Sequence, residues 1–346
     1  GLNANTGKIN WKREELSPVN GENNIVIMED GNLFCAYPVD NHANRTYKIL
    51  DGESGQVLWM GSEKNHDLYR KLIGPDGAFY RQRDRNGSDG MRHPTIDTAD
   101  QVLATTYSRM PVVFEKGAGA TLWDTEGREY TDFLAGIAVC GLGHAHPAVQ
   151  AALSEQAGKL LHVSNLFYTK PQVELGEWLI RHSFADRVFF CNSGAEANEA
   201  AIKLARKYFY DKGQTGRYRI IAMEQSFHGR TMGSLSATGQ AKIRKGFEPV
   251  LDGFEFVPFN DLEALRAKLD ETVCAVLLEP IQGEGGIVCP DPDYLPAVRR
   301  MCDETGTLMM LDEIQTGMGR TGKLFAYEHA GAAPDIMTLA KALGNG

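Results

Sequence analysis

From about residue 112 onward, short aliphatic runs bounded by turns alternate with amphipathic stretches of helical period. The runs Arg187–Cys191, Tyr218–Met223, Phe254–Phe259, Cys274–Glu279 and Thr307–Asp312 are largely apolar along their length. That is the pattern of strands covered on both faces in a mostly parallel sheet. Between them, residues Ala195–Tyr210 are predicted helical, with Ala197, Ala201, Leu204 and Tyr208 recurring at spacings of 4, 3 and 4. Alternating β and α elements predict an α/β fold with a mostly parallel central sheet and flanking helices. Binding loops are then expected at the carboxyl ends of the strands.

The first 90 residues carry a different pattern. Ile25–Met28 and Asn32–Tyr37 flank Asp30-Gly31, which predicts a β-hairpin. Leu2–Trp11 and Leu50–Trp59 repeat a motif of polar turn, Thr/Ser-Gly, Lys/Gln, aliphatic residue and Trp; Gly7 and Gly55, like Trp11 and Trp59, are 48 apart. This repeat resembles the blade motif of quinoprotein-type (PQQ-like) β-propellers, which implies a short all-β fragment. Two partial repeats cannot close a ring of blades, and no ligand for a quinone or metal is apparent.

Composition sharpens the boundary. Residues 1–90 hold 11 Asn and 4 Ala, whereas residues 91–346 hold 5 Asn and 30 Ala, a swing that one domain does not usually show. The turn-rich stretch Gly87-Ser88-Asp89-Gly90 suits a linker, so the expected domains are 1–90 and 91–346. With 36 Lys+Arg against 45 Asp+Glu, the chain is acidic, at −9. That argues against nucleic acid or an anionic membrane surface as its partner. Cys35, Cys140, Cys191, Cys274, Cys289 and Cys302 show no CxxC and no metal spacing with His. They are expected as small buried side chains in a reducing compartment, with no metal site.

Four local features suggest chemistry. Asn192-Ser193-Gly194-Ala195 lies where a strand-like run enters a helix, and backbone N–H groups there suit an anion such as phosphate. Ser226-Phe227-His228-Gly229-Arg230-Thr231 offers an aromatic ring to stack on a flat group and an Arg for a carboxylate. Asp312 closes an apolar run and, if buried, calls for a cationic partner such as a protonated pyridine nitrogen. Lys341 stands in the otherwise uncharged stretch Thr338–Gly344, where its pKa should fall and it could form a Schiff base.

Together with Thr121–Pro147, Cys191–Arg206, Leu277–Ile287 and Pro334–Gly346, these motifs make residues from about His93 to Gly346 resemble the class III, fold-type I aminotransferases. Those enzymes use pyridoxal 5′-phosphate (PLP). The resemblance implies that Lys341 attaches PLP and later carries the proton, while Asp312 keeps the pyridine nitrogen protonated. It implies that Gln315 contacts the ring hydroxyl, Phe227 covers one ring face, and the N–H groups around Gly194 and Ala195 bind the phosphate. Arg230 would clamp the amino donor's α-carboxylate, Glu284 would act as a switch between two substrates, and Glu279 would support Asp312. The implied reaction is a ping-pong transfer of the δ-amino group of N2-acetylornithine to 2-oxoglutarate, by a cytoplasmic homodimer. Ornithine, succinylornithine and succinyl-diaminopimelate remain open as donors.

The chain also departs from that family. Residues 1–90 have no counterpart there, and members of the family continue past the lysine into a C-terminal domain. The expectation is therefore an incomplete fold whose isolated chain binds PLP weakly and turns over negligibly. A non-enzymatic product of fusion or truncation, with a propeller-like binding segment, stays open as an alternative.

Overall fold

In the computed structural model, residues 93–346 are described in full, and before them six strands are described as backbone only. These six are β1 (Asn24–Ile27), β2 (Leu33–Pro38), β3 (Asn44–Leu50), β4 (Val57–Lys64), β5 (Lys71–Ile73) and β6 (Phe79–Arg81). β1 to β4 form an antiparallel meander, and β5 pairs with β6. The expected hairpin corresponds to β1 and β2, paired from Asn24↔Ala36 to Ile27↔Leu33. The repeat around Trp11 lies outside the described residues.

The chain divides into two compact units, one of residues 1–117 with 121–132, the other of 118–120 with 133–346. The first contains α1 (Pro94–Val102) and a three-stranded sheet of β7 (Phe114–Ala118), β8 (Thr121–Asp124) and β9 (Glu129–Thr131). Asp124 ties the β8–β9 turn together. Its buried carboxylate accepts from the N–H groups of Glu126 and Arg128, from Arg128 Nε at 2.6 Å and from Tyr130 Oη at 2.9 Å. Those donors outweigh the cost of burial and hold its pKa below the usual value.

The second unit begins with α2 (Ala135–Ala138), α3 (Pro147–Ala157) and α4 (Lys170–Arg181), then α5 (Gly194–Asp211). Its sheet comprises β10 (Arg219–Met223), β11 (Phe254–Val257), β12 (Val273–Leu278), β13 (Leu308–Asp312) and β14 (Ile336–Thr338). All pairings are parallel, in the order β11-β10-β12-β13-β14. The helices between these strands are α6 (Met232–Ser236), α7 (Ala241–Arg244), α8 (Leu262–Lys268), α9 (Tyr294–Thr305) and α10 (Tyr327–Ala330).

Strand alternation sorts the apolar side chains to two faces. Ile220, Ala275, Leu277 and Met310 pack with Ala201, Ile202, Ala205 and Phe209 of α5. Ile221, Met223, Val276, Leu278, Met309 and Leu311 pack with Leu265 of α8 and with Leu295, Val298 and Met301 of α9. Covering on both faces is why these strands are largely apolar, as the sequence pattern anticipated.

Two expectations need correction. Arg187–Cys191 forms no ladder among the described residues. Val188 and Phe190 pack against the core while Phe189 is exposed, so the run alternates like a strand without a hydrogen-bonded neighbour. The cysteines are not uniformly interior either: Cys274 and Cys302 are buried, but Cys191 and Cys289 are exposed. No helix among the described residues is long and apolar enough to cross a membrane.

Candidate active site

The carboxyl ends of the parallel strands converge on one set of loops, and Asp312 is the last residue of β13. Its carboxylate is 4% exposed. Oδ2 accepts from Asn198 Nδ2 at 2.8 Å and contacts His228 Nδ1 at 2.8 Å, while Oδ1 accepts from the N–H of Ile314. Asn198, fully buried on α5, joins three segments. Its Nδ2 also donates to the His228 carbonyl at 2.7 Å, and its Oδ1 accepts from Thr338 Oγ1 at 2.9 Å. Adjacent Glu313 serves another purpose: its carboxylate accepts from the N–H groups of Ala326 and Tyr327 at the start of α10.

Gly194 opens α5 behind the N-cap Ser193, whose Oγ accepts from the N–H of Glu196. First-turn amides such as those of Gly194 and Ala195 have no acceptor within their own helix. A Cβ at Gly194 would meet Ile314 Cδ1 at 2.8 Å, so glycine lets this helix start close against the Asp312 turn. The next loop lies equally near, since a Cβ at Gly229 would meet the Ala195 side chain at 2.9 Å.

Phe227 donates its N–H to Glu279 Oε2 at 3.2 Å, and Glu279 Oε1 accepts from the N–H of Gly283 at 3.3 Å. Glu279 thus fastens two loops with one carboxylate. Burial, assisted by the Asp312 charge, pushes its pKa up to about 7. Gln315 lies against Gly283, where a Cβ would fall 1.6 Å from its Oε1. Half-buried Lys341 follows β14 in a left-handed backbone conformation, φ 48, which is uncommon for a residue with a side chain. Burial lowers its pKa, opposed by the nearby carboxylates of Asp312 and Glu279.

Arg230 is exposed, its guanidinium 5.7 Å from the centre of the Phe227 ring. Glu284 is also exposed, and its Oε2 accepts from Gln240 Nε2. The residues singled out from sequence therefore converge: a helix N-terminus, a ring beside a guanidinium, a buried carboxylate and an amine. The Asn198 junction, the His228–Asp312 contact and Gln240 were not anticipated. The available signal was a polar residue at a helical core position.

A family model described as aminotransferase class-III matches residues 102–346. The chain belongs to the class-III aminotransferase family. Among the curated relatives of this class-III chain is the acetylornithine aminotransferase of Gloeobacter violaceus, 59% identical over 247 residues. The match covers 71% of this chain and 62% of that one, so the chain spans under two thirds of the relative's length. The solved N-acetylornithine aminotransferase of Stenotrophomonas maltophilia K279a is 46% identical, with a TM-score of 0.62 over 72% of this chain and 62% of its own. Ornithine aminotransferase of Toxoplasma gondii, crystallised with oxidised glutathione and with PLP at partial occupancy in its active site, is 37% identical. Its TM-score is 0.69 over 71% of this chain and 59% of its own.

Class-III aminotransferases are PLP-dependent, and the residues present fit that group. The close approach of Gly194 to Ile314 sets the first-turn amides of α5 beside the turn that carries Asp312. The buried Asp312 carboxylate faces Asn198 and His228, with the amine of Lys341 in the same charge environment. An anion cradle, an anionic partner for a ring nitrogen and a lysine whose pKa burial lowers are what this cofactor's phosphate, pyridine and aldehyde require.

Proposed function

We infer that the protein catalyses PLP-dependent transamination, passing the δ-amino group of N2-acetylornithine to 2-oxoglutarate, a step of arginine biosynthesis in the cytoplasm. The convergence of Lys341, Asp312 and the Gly194 helix start carries the chemical reading. The 59% identity to a protein named acetylornithine aminotransferase supports the choice of donor.

In this reading the N–H groups of Gly194 and Ala195 hold the phosphate, and Phe227 and Gln315 hold the ring. Bound there, PLP supplies an amine carrier and an electron sink. Lys341 provides the attaching amine; its lowered pKa raises the neutral, nucleophilic fraction, and the same nitrogen moves the proton at the donor's δ-carbon. Asp312 supplies the anion that keeps the ring nitrogen protonated, oriented by Asn198 and His228. Arg230 takes a substrate carboxylate, and Glu284 places an anion near it to discriminate between donor and acceptor. A homodimer fits the family. Residues 1–90 are read as a separate propeller-like segment and 91–346 as the aminotransferase portion, supported by the change in composition and the 48-residue repeat.

Incubation with PLP followed by borohydride reduction and peptide mapping tests this reading. A pyridoxyl label on Lys341, lost in Lys341→Ala, is expected, and a label distributed over other lysines would refute it. Glutamate formation from 2-oxoglutarate should be faster with N2-acetylornithine than with ornithine, succinylornithine or succinyl-diaminopimelate. A faster rate with any of these three reassigns the donor.

A further inference from the structure

We propose that Asn345 is a positioning residue for Lys341: its side-chain amide clasps the glycine-rich segment 141–143 to the turn that carries the lysine, and so keeps the lysine's amine in place for attachment. The proposal rests on the reading of Lys341 as the residue that attaches PLP.

The clasp has two ends. Asn345 Oδ1 accepts from the N–H of Leu142 at 2.8 Å, and Nδ2 donates to the Gly143 carbonyl at 3.3 Å. The backbone N–H of Asn345 donates to the Lys341 carbonyl at 3.1 Å, alongside that of Gly344 at 3.0 Å. One residue thus bonds both the lysine and a segment about 200 positions away. That segment is itself fastened. Gly119 and His144 exchange backbone hydrogen bonds at 2.9 and 2.8 Å, and a Cβ at Gly143 would fall 2.7 Å from the Gly119 carbonyl oxygen. The segment also lies close against the lysine's turn, since a Cβ at Gly141 would meet Ala342 Cβ at 3.2 Å.

Lys341 needs such a hold. Its left-handed backbone, φ 48, persists only where the surroundings over-determine it. The element before it supplies little, because β14 is an edge strand of three residues. Asn345 is also left-handed, at φ 61, a conformation that asparagine tolerates better than most residues. With the clasp released, Lys341 is free to relax toward ordinary backbone angles. That turns its Cα–Cβ bond and carries away the amine at the end of a flexible stem. In the proposed reading other elements hold the phosphate and the ring, through Gly194, Ala195, Phe227, Gln315 and Asp312. The clasp therefore bears on attachment and not on docking.

The test compares the full chain with its Asn345→Gly variant, which keeps the left-handed backbone accessible and removes both side-chain bonds. The first readout is the rate at which added PLP becomes borohydride-trappable on Lys341, followed by peptide mapping of timed samples. The second is the calorimetric affinity for pyridoxamine 5′-phosphate. This compound has the same phosphate and ring but an amine in place of the aldehyde, so it attaches to no lysine. Asn345→Gly is expected to slow labelling about tenfold, the size of one or two ordinary hydrogen bonds. Affinity for pyridoxamine 5′-phosphate should stay within about twofold of the unsubstituted chain. A merely structural role would weaken both together, which overturns the proposal, as does labelling at the unsubstituted rate. Lys341→Ala separates that failure from failure of the underlying reading. If the label sits on Lys341 and vanishes in Lys341→Ala, the attachment reading stands whatever Asn345→Gly does. If the label lies elsewhere or none forms, both fail.

Discussion

At the scale of single residues, the site is a set of buried polar groups whose cost is met by specific partners. Glu279 makes this measurable. Its two accepted N–H bonds favour the charged form, yet burial dominates and raises its pKa from 4.5 to about 7. Below pH 4.5 both folded and unfolded chains carry the proton, and the group imposes no penalty. As pH rises toward 7 the unfolded chain ionises first, so this contribution to stability declines, by on the order of 3 kcal/mol, and is constant above pH 7. Urea midpoints measured between pH 4.5 and 8 should fall more steeply in the wild type than in Glu279→Gln, and equal slopes would contradict the assignment. Asn198 gives a second case. Replacing it by Ala leaves the Asp312 carboxylate, the His228 carbonyl and Thr338 Oγ1 each without one partner. A loss of about 1–3 kcal/mol is expected by denaturation, with weaker binding in a PLP titration. An unchanged PLP affinity would separate Asn198 from the orientation of Asp312.

At the scale of elements, α5 shows what the sequence pattern carried and where it misled. The helix itself was legible, since an uninterrupted stretch of good helix formers follows a serine N-cap. Its buried face was not. The stripe of Ala197, Ala201, Leu204 and Tyr208 has the right period, but the residues turned inward are Asn198, Ala201, Ile202, Ala205 and Phe209. Leu204 and Tyr208 remain 57% and 41% exposed. The rotation follows from Asn198, which counts as polar in any hydrophobic pattern and is nonetheless buried to serve Asp312. Leu204→Lys should therefore shift stability by no more than about 0.5 kcal/mol, while Ile202→Ala should cost about 2–4 kcal/mol. Thermal or urea denaturation of the two variants decides between the faces. The four long strands of the sheet were anticipated to within a residue or two because they are largely apolar runs bounded by turns. Arg187–Cys191 was not, because alternation reports which side chains face inward and not whether a strand has a neighbour. β14 has only three residues, too few to form a pattern.

At the scale of the whole molecule, the alternation of elements gave the fold class, and ordered motifs gave the family. The positions that touch one another across the chain were illegible because separations such as the 114 residues between Asn198 and Asp312 leave no local trace. The sheet that joins them is not uniformly held. β12 lies at its centre, paired on both sides and buried at every position, whereas β14 is an edge strand of three residues that leads to Lys341. Local opening is easiest where pairing is one-sided and apolar cover is thin. Hydrogen exchange should therefore rank β12 as most protected and β14 with residues 341–343 as least. In the proposed reading PLP is fixed by Lys341 and Asp312 and binds only the closed arrangement of these elements, so it should slow exchange in β14 and residues 341–343. β12 should change less unless the whole unit is stabilised together. Slow exchange in β14 before PLP is added would mean that the cofactor closes nothing there. An increase confined to β12 would place the anchoring groups elsewhere than at the end of the edge strand.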